Sequence, residues 1–224
     1  MRWQVLRERV ADACVQAGRA PDAARILPVS KTFGVDVVRE AMALGMSRFG
    51  ENRVQDIRAK ASALAGSGID WVMIGHLQTN KVKDVAPLVA EVQSLDRLEL
   101  AQALDRRLQH AGRAIDVLVQ VKTSPEPAKQ GLAPADLPAF LRELSACASL
   151  RVSGLMTLAV QSPDRDAVRA CFRRLRTLRD QAQAGGFELP RLSMGMSGDF
   201  GIAIAEGATE VRVGSALFGT RVAP

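Results

Sequence analysis

The run Ile26-Leu27-Pro28-Val29-Ser30-Lys31 ends in an amine, and the C-terminal segment "RLSMGMSGDFGIAIAEGATEVRVGSALFG" carries two turns rich in glycine and serine. A lysine that closes a buried strand is held against apolar side chains, which favours a neutral, nucleophilic amine. Turns of this composition, one of them opening a helix, present backbone N–H groups to an anion. An amine at one end and an anion cradle at the other suit a small phosphorylated aldehyde, pyridoxal 5′-phosphate (PLP) first among them. A lysine that merely snorkels its ammonium into solvent is the competing reading.

The cradle has further residues. Ser197 is placed to cap a helix containing Phe200, Ala203 and Ile204, with Gly207 beyond its end. Gly214 and Ser215 follow a strand, where a missing side chain lets backbone approach a phosphate. Arg212 interrupts that otherwise apolar strand, and a buried arginine needs a partner, either a structural carboxylate or a ligand ring nitrogen. Of six lysines only Lys31 and Lys122 end strand patterns. Three separated cysteines (Cys14, Cys147, Cys171) without a CxxC pair read as buried thiols, and the two distant histidines, His76 and His110, make a metal site improbable.

Short β-branched runs at 26–31, 47–51, 70–75, 91–95, 116–122, 151–158, 191–196 and 210–214 alternate with helical patterns. The latter fall at 3–17, 34–45, 53–65, 80–89, 97–111, 134–147, 164–184 and 199–206. Eight strand–helix units without a Pro-, Gly- or Ser-rich linker predict an α/β fold, a single (β/α)8 TIM-type barrel over 1–224 with an extra N-terminal helix. An open doubly wound sheet is the alternative, but no GxGxxG follows the first strand. In a parallel barrel ligands lie at the C-terminal strand ends, with phosphate at the loops after strands seven and eight. Lys31, Glu51-Asn52, Gly75-His76, Met156-Thr157, Ser193 to Ser197 and Arg212 to Ser215 gather at that rim. Closure pairs strand eight with strand one, which sets Lys31 beside the cradle and Lys122 across the barrel.

Composition narrows the class. The chain has 224 residues, 47% of them hydrophobic, with a net charge of +6, and no apolar stretch long enough to span a bilayer. Glu8 and Asp12 interrupt the first helical pattern and argue against a targeting peptide, so a cytoplasmic protein without membrane contact is expected, and a closed barrel with a charged exterior permits a monomer. Arg165, Arg169, Arg173 and Arg176 form one helical stripe. No aromatic platform accompanies it, so a solvated outer helix is expected rather than a nucleic-acid surface.

Six ordered motifs, "VSKT", "FGENRVQD", "IGHLQTNK", "GLMT", "LSMGMSGDF" and "VRVGSALFG", span about Ile26 to Arg221. In order and spacing they resemble the pyridoxal phosphate homeostasis proteins, which are similar to the N-terminal barrel domain of alanine racemase (PLP fold type III). The resemblance implies PLP held as an aldimine on Lys31, with Arg212 facing the pyridine nitrogen and Ser197, Gly214 and Ser215 cradling the phosphate. It further implies that Asn52, His76, Ser193 and Met194 line the ring. Departures are Arg53 where tyrosine is frequent, Gly198 and Gly201 in place of acidic residues, and Lys122 in place of asparagine, which makes Lys122 a second candidate amine.

The resemblance also implies a carrier that buffers PLP or delivers it to PLP-dependent apo-enzymes, with no catalytic residue. The alternative is a PLP-dependent amino-acid racemase or related enzyme. Arginine at the ring nitrogen weakens the electron sink. A racemase also needs acid–base groups on both faces of its substrate, and the absence of tyrosine and of a second domain argues against that. A sugar-phosphate lyase using Lys31 is a third, weaker option.

Overall fold

The β-branched runs form eight parallel strands: β1 (Arg25–Pro28), β2 (Arg48–Glu51), β3 (Asp70–Met73), β4 (Val89–Leu95), β5 (Ile115–Gln120), β6 (Leu150–Met156), β7 (Arg191–Ser193) and β8 (Glu210–Val213). The computed structural model describes residues 2–126 and 129–219. Strands are hydrogen-bonded in the order β1-β8-β7-β6-β5-β4-β3-β2. The two ends of that order, β1 and β2, meet through one bridge between Val29 and Gly50, beside which the Ser30 N–H donates to the Gly50 carbonyl at 3.1 Å. The sheet therefore closes into a barrel with a thin seam between β1 and β2, as the alternation of elements predicts.

Helices fill each crossover: α2 (Val35–Ala43), α3 (Val54–Ala63), α4 (Val82–Val85), α5 (Leu98–His110), α6 (Leu137–Leu144), α7 (Arg165–Ala184) and α8 (Phe200–Ala205). An additional helix, α1 (Arg2–Gln16), precedes the barrel and packs on α8 and on a short terminal helix, α9 (Ser215–Phe218). Spacing explains the packing. Leu100, Leu104 and Leu108 of α5 recur at helical period and are all but fully buried, each contributing about 1.5–3 kcal/mol on transfer from water. Asp164 caps α7 by accepting from the N–H groups of Asp166 and Ala167. Among the described residues no helix is long and apolar enough to cross a membrane.

The apolar core is a ring between barrel and helices, formed by outward residues such as Val92, Leu192, Val211 and Val213. The lumen is polar. Gln93 on β4 donates to Glu210 on β8, and Arg191 on β7 reaches Glu91 on β4 at 2.6 Å. These strands are not neighbours, so both contacts cross the barrel axis. Arg48 joins at 2.6 Å from Glu91, and Arg25 at 2.6 Å from Glu210. Burial would raise the Glu91 carboxyl, but the hydrogen bond from Arg191 and the adjacent Arg48 charge outweigh it and hold the group below its ordinary value.

Several expectations shift. β1 ends at Pro28 rather than at residue 31, because Phe33 N–H donates to the Ser30 carbonyl at 3.1 Å and turns the chain out of the sheet. β7 ends at Ser193 instead of 196, and β4 begins two residues earlier than predicted. The helix predicted at 80–89 shrinks to α4 behind a single 3-10 turn. The three cysteines are free and buried. Three of the four arginines in the α7 stripe, Arg169, Arg173 and Arg176, converge on Glu206 at 3.2–3.3 Å, so that stripe is partly an ion-pair network rather than a purely solvated face.

Candidate functional site

Lys31 stands in the turn after β1, exposed at the C-terminal face of the barrel. It is not buried at a strand end, as its apolar run predicts, because the chain leaves the sheet before reaching it. Thr32, the next residue, has φ of 70°, the one non-glycine residue with positive φ among those described. A β-branched side chain in that region is strained, and such strain concentrates at functional turns. Phe33 then packs at a tilt against Phe218 of α9, with ring centroids 5.2 Å apart. The lysine-bearing turn is thereby tied to the element that follows β8.

The second turn lies directly beside the first. β1 and β8 run in parallel register through Pro28 and Val213, and the Val29 N–H donates to the Val213 carbonyl at 2.9 Å. Lys122 follows β5, four places away in the strand order, so Lys31 is the amine beside the cradle. Gly214 begins the turn, and Ser215, exposed, opens α9. Among the described residues the N–H groups of Gly214 and Ser215 donate to no protein acceptor, and neither do those of Ser197 and Gly198. These two adjoining turns thus leave four N–H donors without a protein acceptor, the kind of donor set an anion cradle requires.

Ser197 has a different local role from the one its position predicts. Asp199 occupies the N-cap position of α8, and its Oδ1 accepts from the Met196 N–H at 2.5 Å. Ser197 Oγ instead accepts from the Ala216 N–H at 3.3 Å, which joins the turn after β7 to the turn after β8. Gly207 follows the end of α8 at φ of 97° as expected.

Arg212 lies on the same face of β8 as Glu210, and its guanidinium is buried at 4% exposure. Its Nη1 donates to Ser193 Oγ at 2.8 Å and its Nη2 to the Thr157 carbonyl at 2.7 Å. Among the described residues no carboxylate lies within ion-pair distance of it, so the structural salt bridge is not formed. Burial pushes its pKa down to about 10, against the pull of Glu210 and Asp199. A cation held by neutral oxygens at the top of a polar lumen retains electrostatic demand for a ligand.

Ser193 and Met194, expected to line a ligand ring, are both at 0% exposure. Ser193 Oγ accepts from Arg212 and donates to Gln93 and Glu210, and Met194 packs in the apolar core beside it. Asn52 and His76 do come together: a Cβ built on Gly75 would meet the Asn52 carbonyl oxygen at 2.2 Å, so the two loops touch backbone to backbone. Asn52 is half-buried and His76 exposed. His76 borders a depression with Asp96, Arg97 and Gly131, on the β3–β4 side of the mouth and away from Lys31. Gly198 and Gly201 line another, with Arg9 and Arg165.

Sequence reasoning missed Thr32, the Phe33–Phe218 contact and a buried cluster of Ser30, Glu51 and Lys60. Ser30 Oγ donates to Glu51 Oε1 at 2.6 Å, and Lys60 Nζ donates to the same carboxylate and, at 2.8 Å, to the Ser30 carbonyl. Burial pushes the Glu51 carboxyl above its ordinary value, opposed by its hydrogen bonds from Lys60 and Ser30. The only available signal was a lysine at a helix position that packs inward.

An eight-stranded parallel barrel with an amine and an anion cradle on adjoining strand ends defines a class of cofactor-binding barrel. The alanine racemase N-terminal domain family matches residues 6–222. A pyridoxal phosphate homeostasis protein of Aquifex aeolicus is 42% identical over 215 residues, covering 96% of this chain and 94% of the relative. The chain belongs to the pyridoxal phosphate homeostasis proteins within that barrel family. The structure of PipY from Synechococcus elongatus with PLP bound superposes with a TM-score of 0.83 at 37% identity, covering 94% of this chain and all of that one. Alanine racemase of Clostridium difficile shares the fold, with a TM-score of 0.73 at 15% identity; the match takes in 95% of this chain and 55% of the racemase.

Proposed function

We propose that this chain binds PLP through Lys31 and serves PLP homeostasis as a cytoplasmic, monomeric, single-barrel carrier that hands the cofactor to apo-enzymes. The observation that carries this reading is the seating of the Lys31 turn against the Gly214–Ser215 turn across the β1–β8 pair. Bound PLP supplies an aldehyde that links reversibly to an amine. The residues present fit it: Lys31 Nζ is the amine, the N–H groups of Ser197, Gly198, Gly214 and Ser215 hold the phosphate, and Arg212 directs a donor at the ring nitrogen. Asn52 and His76 border the same mouth from the β2 and β3 ends.

A carrier is favoured over a racemase by two features of the chain. Arg212 is a donor that stays protonated near neutral pH, so it keeps a ring nitrogen unprotonated and limits carbanion stabilisation. The sequence has no tyrosine, and racemisation needs an acid–base group on each face of the substrate. The test is the visible absorption spectrum of the purified protein with PLP, before and after borohydride. A long-wavelength band that reduction abolishes supports the reading, and a spectrum that is the sum of protein and free PLP removes it.

A further inference from the structure

The turn that presents Lys31 is attached to the barrel on only one side by a regular ladder. β1 pairs with β8 over four residues, whereas toward β2 the contact is the single Val29–Gly50 bridge. At that seam the side chains of Ser30, Glu51 and Lys60 take over. Lys60 is on α3 and 5% exposed, and Glu51 and Ser30 are at 0%. The Ser30 carbonyl accepts from Lys60 Nζ at 2.8 Å and from Phe33 N–H at 3.1 Å, so the ammonium grips the oxygen that closes the turn around Lys31 and Thr32.

This arrangement is costly to the fold. A buried ion pair is often no more stabilising than apolar side chains of the same volume. Among the described residues Glu51 Oε2 is buried with no protein hydrogen-bond partner, an arrangement that disfavours the folded state. Thr32 adds backbone strain on the same turn. Three unfavourable features within one turn of the candidate amine are explained by a demand on geometry rather than on stability.

We infer that Lys60 and Glu51 are positioning residues for Lys31: acting through Ser30, they fix the turn so that its amine meets an aldehyde held by the Gly214–Ser215 cradle. The inference rests on the assignment of Lys31 as the PLP amine. Condensation of that amine, in its neutral form, with a bound aldehyde would make a C=N bond, the carbonyl oxygen leaving as water with the two amine hydrogens, so its rate depends on where the turn holds Nζ.

The experiment compares the wild type with Lys60→Met/Glu51→Met, which replaces the pair by apolar side chains, and with Glu51→Gln and Ser30→Ala. Three quantities are read: thermal melting of the apo protein, affinity for pyridoxine 5′-phosphate, which has no aldehyde, and the rate at which PLP and borohydride label Lys31. The double variant is expected to melt near the wild type and to bind pyridoxine 5′-phosphate unchanged, while labelling slows about tenfold or more. Labelling within about threefold of wild type in every variant that folds overturns the positioning role. Should the double variant fail to fold, Glu51→Gln and Ser30→Ala are judged by the same threshold. Lys31→Ala separates the two readings: if it keeps the wild-type label, the Lys31 assignment itself fails, whatever the seam variants do.

Discussion

A Cβ on Gly214 would stand 3.1 Å from the carbonyl oxygen of Val29, two residues before Lys31. A side chain there would force the Val29 carbonyl to give way, so the turn of the proposed cradle and the strand end that leads to Lys31 share one tight contact. Gly214→Val should push the two turns apart, costing about 1–3 kcal/mol in stability and most of the PLP affinity. Ser197→Ala loses one hydrogen bond to Ala216 N–H and should weaken binding by only about 0.5–1.5 kcal/mol. Equilibrium titration of both variants checks the ranking; equal affinity in Gly214→Val and the wild type removes the cradle.

Borohydride reduction of the PLP-loaded protein followed by peptide mapping should place the pyridoxyl mass on Lys31. Its turn adjoins β8, whereas Lys122 follows β5 across the barrel. Label found on Lys122 or Lys81, with Lys31→Ala still labelled, contradicts the assignment.

Arg212→Lys should not be conservative. One ammonium cannot span Ser193 Oγ and the Thr157 carbonyl as the guanidinium fork does. We expect weaker PLP binding and a shifted visible band, read by titration and absorption. An unchanged spectrum and affinity would show that the guanidinium does not face the ring.

The lumen predicts acid lability. Glu91 has its folded pKa depressed, so between the folded and unfolded values the unfolded chain binds more protons. Its stabilising contribution is present above the ordinary glutamate value of about 4.3 and is lost as pH falls below that, through the folded pKa. Melting temperature should drop over that window, and Glu91→Gln should flatten the slope. The variant should also be less stable at neutral pH by about 3–5 kcal/mol, because Arg48 loses its counter-charge and Arg191 keeps only Glu210 at 3.3 Å. A melting profile in Glu91→Gln parallel to wild type would count against Glu91 as the titrating group.

The isolated protein should not racemise amino acids efficiently. Incubation with L-alanine in deuterated water should give at most slow Cα exchange with retention. Rapid formation of the D-isomer, lost in Lys31→Ala, would make the protein an enzyme.

The barrel was legible because its strands are buried on both faces and read as β-branched runs such as "VLVQV", with helical periods between them. The rim was legible because glycines, serines and a lysine end those runs. Contacts made across the fold were not. Arg212 meets Thr157, 55 residues away, only once β6, β7 and β8 lie side by side. Lys60 looks like any lysine in an amphipathic helix until α3 docks over the seam. α9 is four residues long, too short for a helical period to register. The strand carrying Lys31 was overextended because an apolar run does not reveal that Ser30 turns the chain.

The charged ladder of Glu91, Arg191 and Glu210 across the axis has a consequence for traffic. With the tube stoppered from the N-terminal side, a molecule held at the proposed site would have one doorway, the rim bearing Lys31 and Ser215, for both arrival and departure. A recipient taking it directly would have to dock over that rim, and while docked would shut the bulk solvent out of the exchange.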